Sequence, residues 1–433
     1  MRLPICGGNW NNASNAGLSA LNLNNLRSNA NNNIGSRAAF HGCQKSHHHG
    51  DAASACQKRS RTPPLERGNM NRIERLVGFG RMPLCPLREL SVHTVNGLWG
   101  KVIDFENLYQ AYRRATERKR YDPVSMKFRQ NLEENLITLQ NELIWKTYSP
   151  KPLRHFTIRE PKVRQISAPE FIDRVVHHSL VAAIEPAFER RFVADSYACR
   201  KGKGTHRAAQ KTQSMTMEAK RQWGSYWVLK CDITKYFPSI RHETLKKIVR
   251  RTISDKNILW LIDTIIDSHG DGCGIPIGAL TSQLLANVYL DQLDHYLKDH
   301  IGIRYYVRYM DDFIILGKTK SELKSLKVDI EAYLCSRLAL CLNHRTGIWP
   351  GRHGIDFCGY RIWPTHMKPR KRTVKKIKRK LMAIKRRAPE KKAFEDIRKV
   401  LSSFFGYIKY CNGWRTLQAV LERAAYRPKG ARP

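Results

Sequence analysis

Two adjacent carboxylates between two apolar segments constrain the fold of this chain more than any other feature of its sequence. Residues 309–312, Tyr-Met-Asp-Asp, lie between the apolar segments 305–307 and 313–316. Apolar segments on both sides of a short turn predict an antiparallel hairpin, with its turn at Met310 and Asp311. Like charges at a hairpin tip repel each other, so the tip is stable when a cation lies between them. An ordinary surface turn that contains two aspartates is the simpler alternative.

A third carboxylate belongs with this pair. Asp232 lies near the end of the apolar segment 226–233, which predicts a buried strand. Three carboxylates at strand ends can hold two Mg²⁺ ions about 3.5–4 Å apart, one acting on a primer 3′-hydroxyl and the other on a triphosphate. We therefore predict nucleotidyl transfer at Asp232, Asp311 and Asp312, with Ile233 as a further metal-holding position. Mn²⁺ can replace Mg²⁺ because the ligands are hard oxygens.

The charge of the chain indicates a polyanionic partner. Its 433 residues include 77 Lys and Arg against 37 Asp and Glu, a formal net charge of +40. Nucleic acid is the first candidate partner, and an anionic membrane surface is the second. No apolar run of about 18 residues predicts a transmembrane helix. The 11 cysteines include no Cys-X-X-Cys pair, which predicts reduced thiols in a cytoplasmic protein and no structural zinc site.

Helix and strand patterns follow each other along the chain without a strict βαβ repeat. Apolar residues at helical spacing predict helices at 104–147, 171–192, 242–268 and 280–299. Strand patterns occupy 155–158, 164–167, 226–233 and 303–316. This mixture predicts an α+β fold.

The C-terminal segment, from about Met367, is predicted to be helical and is very basic. Twelve Lys or Arg and no acidic residue lie between His366 and Arg387, around an apolar stripe at helical spacing. A solvated helix face is the simpler interpretation of such a charge run. Because the charge is one-sided and follows the carboxylate motifs, we favour a nucleic-acid track. Its predicted contact residues are Lys371, Arg372, Lys375, Lys376 and Arg379.

Between residues 150 and 362 these motifs resemble the ordered series of bacterial reverse transcriptases of the group II intron and retroelement type. Residues 166–176 resemble the fingers segment, and residues 231–237 the first palm motif. Residues 196–206 resemble the block that begins Ser-Tyr-Gly-Phe-Arg, with Ala-Cys in place of Gly-Phe. The resemblance implies template RNA, a primer or cDNA strand and deoxynucleoside triphosphates as partners.

The resemblance also implies a right-hand polymerase fold. The N-terminal helices and fingers would occupy 70–225, a palm with a small antiparallel sheet 226–362, and a basic helical thumb 363–433. Only some 70 residues follow the last matching motif, which suits a thumb but not an RNase H or large endonuclease domain.

Several site residues take their roles from the same resemblance. Arg164 would grip the triphosphate, and Phe237 would be the steric gate that excludes a ribose 2′-hydroxyl. A plain core aromatic is the alternative for Phe237. The hairpin residues Phe357, Gly359 and Tyr360 would position the primer end.

Residues 275–283 resemble one subtype, the reverse transcriptases of diversity-generating retroelements. Ile277 precedes Gly278 where group II intron enzymes usually carry Gln, and the segment ends in Ser-Gln rather than Ser-Pro. The subtype implies cDNA with frequent errors at template adenines and a basic, oligomeric accessory variability protein. Gly278 would let the backbone approach the nascent pair, and Gln283 would hydrogen-bond near it. The apolar Ile277 would hold that pair more loosely, which is our hypothesis for low fidelity.

The N-terminal segment 1–69 differs from the rest of the chain. It is rich in Asn up to residue 33 and then becomes a linker with His, Ser and Pro, so we expect it to be disordered. Every Asn codon begins with two adenines, so residues 1 to about 38 fit a translated template repeat, with the true start at Met70 or Met82. A functional Asn-rich extension or a remnant lectin strand is the alternative.

Two other functions stay open. One is a group II intron or retron reverse transcriptase, and the other is a non-catalytic RNA-binding protein on a polymerase scaffold. The presence of all three carboxylates argues against the second.

Arg345 stands where relatives carry a lysine that can act as general acid, and an arginine cannot readily give up a proton.

Overall fold

The computed structural model describes residues 94–117, 119, 121–159, 163–387 and 390–424. The Asn-rich segment 1–69, Met70 and Met82 lie outside the described residues. Helices and three small antiparallel sheets make up the described part, so the predicted α+β class is confirmed. None of the described helices is long and apolar enough to cross a membrane.

The first part of the described chain is mainly helical. Its elements are α1 (Trp99–Ile103), α2 (Phe105–Thr116), α3 (Pro123–Gln130), α4 (Leu132–Ile144), β1 (Arg154–Ile158), β2 (Arg164–Ala168), α5 (Phe171–Glu189) and α6 (Thr205–Trp223). β1 and β2 form a two-stranded antiparallel sheet. α5 is buried along most of its length and packs against α2 and the later helix α10 (Leu280–His295).

The central part of the chain carries a four-stranded antiparallel sheet. The elements that precede α10 are β3 (Trp227–Asp232), α7 (Tyr236–Ser239), α8 (His242–Arg250) and α9 (Lys256–Asp267). The elements that follow it are β4 (Tyr306–Tyr309), β5 (Asp312–Gly317), α11 (Lys320–Leu338) and β6 (Gly347–Pro350). The strand order is β4-β5-β3-β6, which puts β3 and β5 inside the sheet.

The central sheet is buried on both faces. Successive side chains of a strand point to opposite faces, and in β3 Leu229 packs into one core while Val228 packs into another. In β5, Phe313 and Ile315 join the first core and Ile314 joins the second. This double burial explains why both strands contain consecutive apolar residues, 227–229 in β3 and 313–316 in β5, instead of a strict alternation with polar residues.

The second core is closed by the C-terminal elements. These are β7 (Ile355–Phe357), β8 (Tyr360–Ile362), β9 (Met367–Pro369), α12 (Lys371–Arg387), α13 (Glu390–Ile408) and α14 (Trp414–Ala424). Ile377 and Leu381 of α12, Phe404 of α13 and Val420 of α14 are buried in this core. The prediction of a helical, basic C-terminal segment is therefore confirmed.

The structure differs from the sequence prediction in several places. The segment 242–268, predicted to be helical, contains two helices, because the Asp255 side chain accepts hydrogen bonds from the Asn257 and Ile258 amides and begins α9. The sequence analysis also missed α6. The buried face of α6 consists largely of small residues such as Ala208 and Thr212, which give little hydrophobic signal.

Candidate active site

The three predicted carboxylates lie at one end of the central sheet. Asp232 of β3 is directly opposite Asp312 of β5 in the antiparallel register, so their side chains share a face. Asp311 lies in the turn between β4 and β5. In that turn Met310 has φ 56°, in the left-handed region, which lets a short turn join the two strands.

Asp312 has an unusual environment for an aspartate. Its Oδ2 lies 2.9 Å from Lys230 Nζ, whereas its buried Oδ1 has no hydrogen-bond partner among the described residues. Burial raises the pKa of this carboxyl to about 6, Lys230 opposes that shift, and Asp311 and Asp232 raise the pKa further. Lys230 alone therefore does not offset the burial of Asp312 and the negative charge of its two acidic neighbours.

These features fit a hard divalent cation such as Mg²⁺. Carboxylate oxygens are its preferred ligands, and the buried Oδ1 of Asp312 is an acceptor that such an ion would satisfy. The convergence predicted from the sequence is nevertheless only partial. No three His, Cys, Asp or Glu side chains in the described ranges are grouped closely enough to hold a metal ion, and Lys230 contacts the carboxylate that a metal ion would bind.

A buried ion pair holds the turn that carries Asp311. Arg308 and Asp294 are both fully buried, and Arg308 Nε lies 2.7 Å from Asp294 Oδ1. The same guanidinium donates to the Asn287 side chain at 3.2 Å and to the Met310 carbonyl at 3.1 Å. Because a buried arginine is stable only when it is fully paired, this network fixes the backbone of the turn.

The chain beyond β3 is fixed by its pairing with residues 341–343. The Asp232 carbonyl accepts from the Asn343 amide at 2.7 Å, and Ile233 forms a bridge with Leu342. Phe237 follows in α7, half-buried, with its ring edge-on to Tyr236. The partly open ring is compatible with both roles considered for Phe237, a steric gate and a core aromatic.

The segment that contains Ile277 and Gly278 lies against β2. The Ile277 carbonyl accepts from the Ser167 amide at 3.0 Å. Gly278 has φ 142°, and a Cβ at this position would lie 2.8 Å from the Ser167 carbonyl oxygen. The glycine therefore serves a close approach to the chain's own strand, a constraint that the sequence analysis did not foresee. Gln283 is half-buried in the first turn of α10, and Arg164 is exposed where β2 begins.

The predicted primer-positioning hairpin, β7 and β8, is held from inside the protein. Phe357 and Tyr360 are fully buried, so their side chains shape the hairpin and do not reach its surface. The Gly359 carbonyl accepts from the Tyr407 hydroxyl, and the Tyr360 hydroxyl lies 2.7 Å from His206 Nδ1. Any contact of these two side chains with a primer is therefore indirect.

The basic residues of α12 lie mostly on its outer surface. Lys371, Arg372, Lys375 and Arg379 are exposed, Lys376 is half-buried, and the apolar residues of the helix face the second core. Arg345 is exposed in the turn that follows residues 341–343. Its backbone amide lies 3.0 Å from Asn343 Oδ1. The predicted nucleic-acid track is thus a continuous basic helix face.

Sequence analysis missed three residues that the structure joins to this site. Lys230 could have been found, since it lies two positions before Asp232 and residues i and i+2 of a strand share a face. Arg308 gave no comparable signal, because its partner Asp294 lies in α10, a separate element. His206 lies in the block 196–206, but its contact with Tyr360 spans 154 residues.

Comparison with known proteins relates the middle of the chain to one protein family. Residues 150–362 match the family described as reverse transcriptase (RNA-dependent DNA polymerase). Protein YkfC of Escherichia coli is 28% identical over 274 residues, which cover 53% of this chain and 72% of YkfC. The group II intron-encoded protein LtrA of Lactococcus lactis is 28% identical over 177 residues, which cover 38% of this chain and 28% of LtrA.

Apart from YkfC, the matched regions span between 16% and 28% of the other curated relatives. Among solved structures, apo telomerase of Candida tropicalis, truncated from its C-terminal domain, is similar with a TM-score of 0.40 and 14% identity. That similarity covers 53% of this chain and 59% of the telomerase chain.

Proposed function

Starting from the reverse transcriptase domain that residues 150–362 form, we propose that this protein is an RNA-directed DNA polymerase whose active site is Asp232, Asp311 and Asp312. The observation that carries this proposal is the register of the central sheet, in which Asp232 is opposite Asp312 and Asp311 lies in the adjoining turn. We assign the fingers to the described residues up to 225, the palm to 226–362 and the thumb to the residues from 363.

The chain's own residues divide the work of nucleotidyl transfer. Bound divalent ions would activate the primer 3′-hydroxyl and stabilise charge on the triphosphate. Asp232 and Asp312 would hold those ions from adjacent strands, and Arg308 keeps the turn with Asp311 in place. Arg164, exposed on β2, would contact the triphosphate, and Phe237 would exclude a 2′-hydroxyl.

The remainder of the nucleic acid would lie along the basic surface. Lys371, Lys375 and Arg379 are spaced on the exposed face of α12 and would neutralise backbone phosphates. Such contacts carry no sequence information, so they predict salt-dependent affinity for many RNAs. The described cysteines are free thiols, which fits a cytoplasmic location.

The comparisons favour a group II intron-type enzyme as the subtype. LtrA is described as a group II intron-encoded protein. We therefore propose that the template is a structured RNA of the group II intron or retron type.

A diversity-generating enzyme is the second candidate, and it depends on the segment with Ile277, Gly278 and Gln283. In this function the template is a repeat RNA, the cDNA carries substitutions at adenines, and a basic accessory protein oligomer is a partner. An Ile277→Gln variant would then lower the adenine error rate, because a hydrogen-bonding side chain replaces an apolar one. An unchanged error rate would remove this candidate's structural basis.

The test is cDNA synthesis by the purified chain on RNA transcribed from its own locus, with deoxynucleotides and Mg²⁺. We expect Asp232→Ala and Asp311→Ala each to abolish synthesis while RNA binding persists. Asp329→Ala is the matched control, since Asp329 is an exposed aspartate of α11. Sequencing the cDNA separates the subtypes, because adenine-directed errors favour the second candidate and faithful copies favour the first. Synthesis by either active-site variant would contradict the site assignment.

A further inference from the structure

Lys230 connects the proposed catalytic carboxylates with the β7–β8 hairpin. It lies on β3 two residues before Asp232, opposite Ile314 of β5. Its Nζ is 2.9 Å from Asp312 Oδ2 and donates to the Asp356 carbonyl of β7 at 2.8 Å. An ammonium group has three N–H donors, so it can serve both acceptors at once.

The ammonium contacts a carboxylate that the proposed function assigns to a divalent ion. Asp312 Oδ2 is already engaged by Lys230, and only the buried Oδ1 lacks a hydrogen-bond partner among the described residues. A divalent cation on the same carboxylate would lie within a few ångströms of a second positive charge. Because two positive charges a few ångströms apart repel each other, the two cations must compete for Asp312.

Lys230 can give up its contact with Asp312 and still keep a hydrogen-bond acceptor. The Asp356 carbonyl can retain the ammonium after it leaves Asp312, and the Phe357 ring lies 5.8 Å from Nζ. The side chain is 21% exposed, so its charged end keeps access to water. Release from Asp312 therefore leaves no buried charge without an acceptor.

We propose that Lys230 is the internal counter-cation of Asp312, which competes with divalent ions for that carboxylate and keeps only its hydrogen bond to the Asp356 carbonyl when an ion binds. This inference rests on the proposed function, since it takes Asp312 as a metal ligand. Its consequence is that the enzyme without nucleic acid binds metal weakly. Metal occupancy is also coupled to the hydrogen bond at the base of the β7–β8 hairpin.

The test is Mn²⁺ binding to the full chain without nucleic acid or nucleotide, followed by the electron paramagnetic resonance signal of free Mn²⁺. We expect Lys230→Met and Lys230→Gln each to tighten the dissociation constant by about fivefold or more, the lower end of typical coupling between two sites. Lys230→Arg keeps the charge and should leave the dissociation constant near that of the wild type.

Two controls make the result specific. Lys320→Met removes a lysine that lies over Trp227 at the other end of β3, and it should not change Mn²⁺ affinity. A double Asp311→Asn and Asp312→Asn variant should lose the Mn²⁺ site in both the wild-type and the Lys230→Met background.

The outcomes separate the two proposals. If the double variant loses Mn²⁺ binding but the neutral Lys230 variants bind as the wild type does, the counter-cation role is wrong and the proposed function stands. If the double variant binds Mn²⁺ as the wild type does, these carboxylates are not the metal site, and both proposals fail.

Discussion

Two hairpins, β4–β5 and β7–β8, each have a turn that is fixed by a buried hydrogen-bond donor, and the two donors differ in origin. The β4–β5 turn contains Met310 at φ 56°, and the β7–β8 turn contains Cys358 at φ 45° and Gly359 at φ 90°. Each turn has one carbonyl held by a buried donor: Arg308 donates to the Met310 carbonyl, and the Tyr407 hydroxyl donates to the Gly359 carbonyl. Both turns are therefore fixed from inside the protein.

The difference lies in where the donor comes from. Arg308 is part of β4 itself and is paired with Asp294 of the neighbouring α10. Tyr407 belongs to α13, one of the C-terminal helices that close the second core. The position of the β4–β5 turn thus depends on the central sheet and the adjoining helix α10, whereas the position of the β7–β8 turn depends on the docking of α13.

The largest effect is expected from breaking the buried ion pair. Arg308→Met leaves Asp294 buried without its charged partner, which should lower the free energy of unfolding by about 3–5 kcal/mol. Arg308→Lys should cost less, since it keeps the charge but loses the bidentate geometry. Urea-induced unfolding of the full chain measures both values.

The matched control for Arg308 is an exposed ion pair. Arg304 pairs with Glu218, and the Arg304 side chain is 66% exposed. Arg304→Met should therefore change the free energy of unfolding by only about 0–1 kcal/mol. Equal losses in the Arg308 and Arg304 variants would contradict the special role of the buried pair.

A smaller effect is expected from removing the donor of the second hairpin. Tyr407→Phe deletes one hydrogen bond to the Gly359 carbonyl, which still accepts from the Arg370 amide at 3.1 Å. The free energy of unfolding should fall by about 0.5–1.5 kcal/mol. If the hairpin positions the primer, the KM for primer should rise while the KM for nucleotide stays nearly unchanged.

Tyr410→Phe provides the control for Tyr407. Tyr410 stacks its ring on His206 at 4.1 Å, a contact that phenylalanine retains. A rise in the KM for primer in both variants would mean that the Tyr407 hydroxyl has no specific part in holding the turn.

The smallest effect concerns pH and again separates the two hairpins. Burial lowers the pKa of His206 below its ordinary value of about 6.5. The folded protein therefore favours neutral His206, so this contribution to stability is present above about pH 6.5 and is lost as the pH falls below that value. His206→Gln should flatten the decline of the unfolding free energy between about pH 7 and pH 5. Arg308 keeps its positive charge across this range, so Arg308→Lys, which also keeps a positive charge beside Asp294, should leave this slope unchanged.

The sequence predicted best what is local along the chain. The turn at Met310 and Asp311 followed from apolar segments on both sides, and the basic α12 followed from its composition. α11 could also have been found, because Thr319 and Glu322 form a capping box at its start. Local patterns carry enough information to place such elements without knowledge of their partners.

Contacts between distant segments could not be derived in the same way. The direct pairing of Asp232 with Asp312 is set by strand register, which depends on the packing of both faces of the sheet. Phe357 and Tyr360 are predicted to position a primer, and because both are fully buried they would do so through the hairpin rather than by direct contact. The partners of Arg308 and His206 lie in other elements, and only the folded chain reveals them.

The double burial of the central sheet has a consequence for hydrogen exchange. β3 has a paired strand on each side and a core on each face, so the amides of residues 228–231 should exchange only when the whole domain opens. The β1–β2 sheet has two strands and exposed positions along both of them, so its amides should exchange through local opening. Arg164 lies on this more easily opened pair. The β1–β2 sheet, which would meet an incoming nucleotide, can therefore open locally while the β3–β5 pairing keeps Asp232 opposite Asp312.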